Sequence, residues 1–158
     1  MRAAALFVSA VLVPQLSLAD CGTDAAVAAQ QFWEAHSHFY ERVDPDVAAL
    51  TTPRFYAALK RQWSCLAQGQ ACLSYELWPH PGDKHIAVRP TFHVSFTRPD
   101  HVLVLMEYTL DGPGSTGRSD QTVVLTLTPP SSGGCWLVDD LLTHHQDSFR
   151  WRFRRPDS

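Results

Sequence analysis

The side chains with the best claim to proton chemistry in this sequence are His36, Tyr40, Asp139 and Asp140. Around His36 the apolar residues Ala28, Phe32, Ala35, Phe39 and Val43 recur at intervals of three and four, the spacing of one helix face. On that wheel His36 falls between Phe32, Phe39 and Tyr40, whereas Glu34 and His38 point away. An inward imidazole is a general base near neutral pH, with Tyr40 as hydrogen-bond donor, the kind of pair a cofactor-independent isomerase or dehydratase would use. The plainer alternative is a buried histidine bonded to a backbone carbonyl. It is preferred, because spacing supplies His36 with no carboxylate partner. Asp139 and Asp140 sit side by side on an expected strand, where a period of two sends one to the inner surface and the other outward. An enclosed carboxylate would resist ionisation and serve as a proton carrier. The preferred alternative is an aspartate that caps a turn or pairs with an arginine such as Arg89. Glu107 is in phase with Leu103 and Leu105, which leaves it lining a pocket or lying on the outer face.

Other chemistries find less support. His80 and His85 flank a proline-rich loop and His144-His145 follow the last expected strand, so all four read as solvated loop residues. There is no Cys-x-x-Cys or His-x-x-x-His pair, and neither a metal nor a cofactor is expected. Gly-x-Ser-x-Gly, phosphate-loop and dinucleotide motifs are absent, which removes the usual basis for hydrolase, nucleotide-binding and oxidoreductase readings. A formal net charge of -3 argues against a general nucleic-acid binder. The end of the chain, Phe149-Arg150-Trp151-Arg152-Phe153-Arg154-Arg155, alternates rings with arginines. Extended, it would be an edge strand over the core, with contact to an acidic partner or a headgroup region as a second role.

These residues need elements to position them. At 158 residues, with 45% hydrophobic and 18% charged content, the chain holds one packed domain and is neither disordered nor coiled-coil. A first helix is predicted over 23–43, capped by Thr23 or Asp24 and stopped at Asp44-Pro45. A short helical stretch at 47–50 and a third helix opening at Thr52-Pro53 follow, the latter buried through Phe55, Tyr56, Leu59 and Trp63. Residues 74–84 form a loop. From His85 the period changes to two, placing Ile86, Val88, Phe92, Val94 and Phe96 on one side of a half-buried strand. Strands at 101–110, 121–128 and 135–142 complete an antiparallel meander, the second of the four being central. The class is α+β, with helices on one face of the sheet.

Residues 1–19 read as a secretory signal peptide, with an apolar run from Ala3 to Val13 and a small-residue end at Ser17-Leu18-Ala19. Lipidation of Cys21 is disfavoured by Asp20 before it. The mature chain is expected in the periplasm without a transmembrane helix. There the even set Cys21, Cys65, Cys72 and Cys135 is read as disulfides. Gly69 can turn the short segment between Cys65 and Cys72 back on itself, so these two are paired, leaving Cys21 with Cys135.

The element order, with Gly134-Cys135-Trp136-Leu137-Val138-Asp139-Asp140-Leu141 at its end, resembles the nuclear-transport-factor-2-like superfamily. Phe39-Tyr40, Leu50-Thr51-Thr52-Pro53-Arg54-Phe55 and the late Trp-Leu-Val-Asp-Asp-Leu resemble small exported bacterial proteins carrying a domain of unknown function. The resemblance covers about residues 24–145 and implies a cone, a bent sheet wrapped around the first helix with a pocket at the open end. It also implies that the fold does not choose a function, since isomerases, dehydratases, cyclases and non-catalytic members, some protecting bacteria from toxins, share it. The domain is placed at 20–148 and the arginine-aromatic tail at 149–158. The expected function is non-enzymatic binding in the envelope, with an immunity-type inhibitor of a toxin as its most concrete form and a cofactor-independent isomerase or dehydratase as the alternative. The expected partner is a protein, a second copy of the chain included, or a small apolar ligand. Trp33, Glu107, Tyr108, Arg150 and Arg152 are the side chains expected to meet it.

Overall fold

The computed structural model describes residues 24–70, 72–73, 77–112, 117–131, 134–143 and 147–153. The expected signal peptide, Cys21, His144, His145 and the end of the tail lie outside the described residues. Helix α1 spans Ala25–His36, α2 Pro53–Ala67 and α3 Phe149–Arg152, and a 3-10 turn occupies Pro45–Ala49. Strands β1 (Ile86–Thr97), β2 (Val102–Asp111), β3 (Arg118–Thr128) and β4 (Leu137–Leu142) form one antiparallel sheet in sequence order. The chain is therefore α+β with a four-stranded antiparallel meander. No described helix is long and apolar enough to cross a membrane.

Local chemistry sets the helix starts. The Asp24 carboxylate accepts from Val27 N at 2.9 Å at the start of α1. Thr52 caps α2 through Phe55 N, with Pro53 in the first turn where its missing N–H costs nothing. At the far end of α2, Gly69 at φ +69 takes the left-handed position, Gly69 N donates to Leu66 O, and the chain reverses. The reversal brings Cys72 back to Cys65 and the two are bridged, with 6.0 Å between their Cα atoms. Closing so short a loop stabilises by about 2–3 kcal/mol in the chain-entropy account. Replacing both Cys65 and Cys72 with serine is expected to lower the urea-unfolding free energy by about that amount; an unchanged value would show that packing alone holds the segment. Cys135 is also disulfide-bonded, and its expected partner, Cys21, lies outside the described residues.

The first helix is shorter than its apolar period. It ends at His36, and residues after it run through successive turns, with Phe39 N donating to His36 O and Glu41 N to His38 O. Side chains from elsewhere satisfy the carbonyls freed here: the indoles of Trp78 and Trp63 donate to Ser37 O and Phe39 O, and the Gln62 amide to Tyr40 O. Phe39 still reaches the core, fully buried, whereas Val43, expected on the same face, is 68% exposed. The core joins Ala29, Phe32 and Trp33 of α1, Phe55, Leu59 and Trp63 of α2, and the inward row Val102, Val104, Met106 and Tyr108 of β2 to Val123, Leu125 and Leu127 of β3. The second strand is interior, as its apolar faces predicted.

Two expectations about the sheet and tail need correction. In β1 the register slips between Ile86 and Val88, between Val88 and Thr91, and between Val94 and Phe96. Each slip interrupts the pleat alternation, so the five apolar residues do not share one buried side. Phe92 packs on Trp33 at 6.0 Å, while Val88, Val94 and Phe96 are exposed. The tail is no edge strand over its described length: Phe149–Arg152 is one turn of helix capped by Ser148. Helical spacing puts Phe149 and Phe153 on one side, their rings 5.0 Å apart, and leaves Trp151 61% exposed.

Candidate functional site

The expected catalytic residues are delivered to different neighbourhoods. His36 closes α1, where its Nδ1 lies 2.8 Å from Asp44 Oδ2. Asp44 is the residue before Pro45, and its other oxygen accepts from Asp46 N to open the 3-10 turn. His36 is therefore oriented by a carboxylate, not by a backbone carbonyl. Tyr40 is buried with its ring against Phe39 at 5.3 Å.

Asp139 and Asp140 are both buried, although pairing puts Asp140 opposite Thr126, in the outer row of the sheet. A bulge interrupts the strand here, and the starts of α2 and α3 cover both carboxylates. Asp140 stands opposite Thr126 and Val138 opposite Leu127, so Asp139 is an extra residue in β4 and strict alternation fails there. Its carboxylate accepts from Thr52 Oγ1 at 2.6 Å, from Arg54 Nη2 at 3.3 Å and from Arg150 Nη1. The Leu50–Thr52 segment is stitched to β4 through Thr52 N to Val138 O and Val138 N to Leu50 O, each 2.9 Å. Asp139 thus faces the first turn of α2, where a carboxylate complements the helix dipole. Asp140 does the same for α3: it accepts from Leu141 N, Arg150 N and the Ser148 hydroxyl that caps the turn. The arginines that meet the acidic pair are Arg54 and Arg150, not Arg89, which lies on β1.

The expected binding residues also separate. Trp33 is core, its indole N–H donating to Pro79 O at 2.8 Å. Tyr108 is buried in β2, whereas Glu107 lies on the opposite, outer face, half exposed and 3.5 Å from His93. Arg150 is held by Asp139, and Arg152 lies 3.7 Å from Asp147. A hollow of about 290 Å³ opens on the outer side of the sheet, lined among others by Val88, Arg89, Glu107, Tyr108 and Asp120. None of His36, Tyr40, Asp139 or Asp140 lines it.

One grouping was not visible in the sequence. His80 does not pair with His85; it crosses to the turn after α1. His80 Nε2 lies 3.1 Å from Glu41 Oε1, His38 Nδ1 lies 2.8 Å from Glu41 Oε2, and the two imidazoles stack with centroids 3.7 Å apart. Burial pushes the Glu41 carboxyl up, but the His38 hydrogen bond and the charges of His80 and His38 outweigh it, so its pKa lies below the ordinary 4.5. The only local clue was the His38-x-x-Glu41 spacing, which a turn brings to one side. No family model matches the chain, and no curated protein or solved structure matches it either.

Proposed function

We propose that the chain is an exported, non-enzymatic interaction module of the bacterial envelope that docks a protein partner on the outer face of its sheet. The carrying observation is the composition of that face. Pairing registers place Phe96, Leu103 and Thr126 in one row across the sheet, His93, Leu105 and Val124 in the next, and Thr91, Glu107 and Thr122 beyond. Phe96 is exposed and Leu103, Leu105 and Val124 are only half-buried, although the residues between them on β2 and β3 form the core. The apolar rows give way to the hollow with Arg89, Glu107 and Asp120. An apolar centre with a charged border is the anatomy of a protein interface, and it favours a protein over a small apolar ligand.

The resemblance to nuclear-transport-factor-2-like proteins belongs to the same proposal. Bulges in β1 and β4 bend strands, and a bent sheet with α1 on its inner side supports the cone. An immunity-type inhibitor is its most concrete form. Against the alternative isomerase or dehydratase stands the engagement of both aspartates by the starts of α2 and α3; a His36→Ala variant with lost turnover would restore it.

The test places a photo-crosslinking side chain at Phe96 or, as control, at Val43, which is exposed beyond α1. A defined periplasmic protein labelled from position 96, unlabelled from 43 and lost when Leu105→Glu is added supports the reading. Equal labelling from both positions, or retention of unprocessed chain in the cytoplasm, overturns it.

A further inference from the structure

We infer that His38, Glu41 and His80 form a binding site for a divalent transition-metal ion of the zinc type, independent of the docking proposal. It is the one group of three such side chains among the described residues whose donor atoms all lie within 4.8 Å of one another. Two imidazoles and a carboxylate are a donor set that zinc-type ions take in preference to calcium or magnesium, which call for oxygen ligands.

The donor atoms are within reach of one ion. A tetrahedral ion with metal–donor distances of about 2.0–2.1 Å holds its donors about 3.3 Å apart. Here Glu41 oxygens stand 2.8 Å from His38 Nδ1 and 3.1 Å from His80 Nε2. Because His38 meets Oε2 and His80 meets Oε1, convergence of three lone pairs takes rotation of the imidazole planes out of their present stack and of the carboxylate between them. Side-chain exposures of 42% for His38, 41% for Glu41 and 21% for His80 leave room for that rotation. They also leave a fourth position facing solvent, for water or a partner's donor.

The meeting of the two segments is built by buried bonds. Trp78 Nε1 donates to Ser37 O at 2.9 Å and Trp33 Nε1 to Pro79 O at 2.8 Å. Ser37 directly precedes His38, and Trp78-Pro79 directly precede His80, so both histidines are carried to the spot by core contacts. Glu41 N to His38 O at 3.0 Å sets the turn that puts these two side chains together. His80 Nδ1 is buried without a hydrogen-bond partner, so the imidazole's one polar tether is the Nε2 side, toward Glu41. Without an ion, one carboxylate serves two stacked imidazoles. A single cation would satisfy all three donor atoms. It would clamp the 77–83 loop to the turn after α1.

The test uses the oxidised protein, freed of metal by a chelator, titrated with Zn²⁺ by calorimetry and with Co²⁺ by visible absorption. One equivalent is expected, with Co²⁺ giving the intense band of a low-coordinate site. His38→Ala with His80→Ala is expected to weaken binding about tenfold or more and to abolish that band. Glu41→Gln weakens it without disturbing the core. His144→Ala with His145→Ala leaves it at the wild-type level. Zn²⁺ should raise the melting temperature of the wild type and not that of the His38/His80 double variant, the two melting alike in chelator. No binding by the wild type, equal binding by the His38/His80 variant, or loss confined to the His144/His145 variant would overturn the site.

Discussion

Replacing Phe39 with alanine is expected to destabilise the fold by about 3–5 kcal/mol, the usual cost of truncating a fully enclosed ring. Phe39 is completely buried, and its ring lies 5.3–6.0 Å from those of Phe32, Tyr40, Phe55, Trp78 and Phe149. These neighbours come from α1, the turn after it, α2, the 77–83 loop and α3, so no single element can shift to fill the space. The cavity term therefore adds to the lost transfer energy. Phe39→Leu should recover more than half of the loss, and Val43→Ala, at an exposed position four residues on, should stay within about 0.5 kcal/mol of wild type. Urea unfolding followed by circular dichroism measures all three. A Phe39→Ala loss below about 1 kcal/mol would mean that the cluster collapses freely and that these contacts do not form the centre of the core.

The second large effect is expected at Asp139. Removing one partner of a buried charge pair costs about 3–5 kcal/mol when the other charge stays enclosed. Here Arg54 is 73% and Arg150 33% exposed, so both regain water. The expected loss for Asp139→Ala is therefore about 2–3 kcal/mol, mostly the missing Thr52 bond and the unmoored start of α2. Asp139→Asn keeps an acceptor for Thr52 Oγ1 and should lose about half as much. Asp111→Ala, which breaks the exposed pair with Arg118, is the control and should change stability by less than about 1 kcal/mol. If Asp139→Ala and Asp111→Ala unfold alike, the bulge aspartate is not what secures α2 to the sheet.

Much of the architecture was readable from local chemistry. Asp24, Thr52 and Pro53 mark their helix starts because a cap acts on residues two or three positions away. The β2–β3 hairpin was readable from Val102 opposite Leu127 to Tyr108 opposite Gln121, where an unbroken register keeps the period of two intact, while the pairs from Thr109 opposite Asp120 to Asp111 opposite Arg118 extend it into the stretch read as a loop. What was hidden depends on partners distant in the chain. The bulge at Asp139 exists only relative to β3, and the α3 turn that covers Asp140 is brought there only by the tertiary fold. The tail misled because its alternating rings fit an extended strand equally well. Phe149 and Phe153 are also four apart, and burial of Phe149 against Phe39 and Phe55 decides for the helix. His38 is on the outside, as the α1 wheel placed it, but its contact with His80 follows from indole bonds that no periodicity encodes.

The same bonds give the molecule an optical gauge. Trp33, Trp63 and Trp78 are each enclosed and each donate to a backbone carbonyl at Pro79, Phe39 or Ser37, whereas Trp151 stands in water. Trp136 is half-buried, so the emission best shielded from a dissolved quencher comes from the three indoles that fasten the 77–83 loop and α2 to α1 and the chain just beyond it. Release of that fastening would register as a red shift and new quenching.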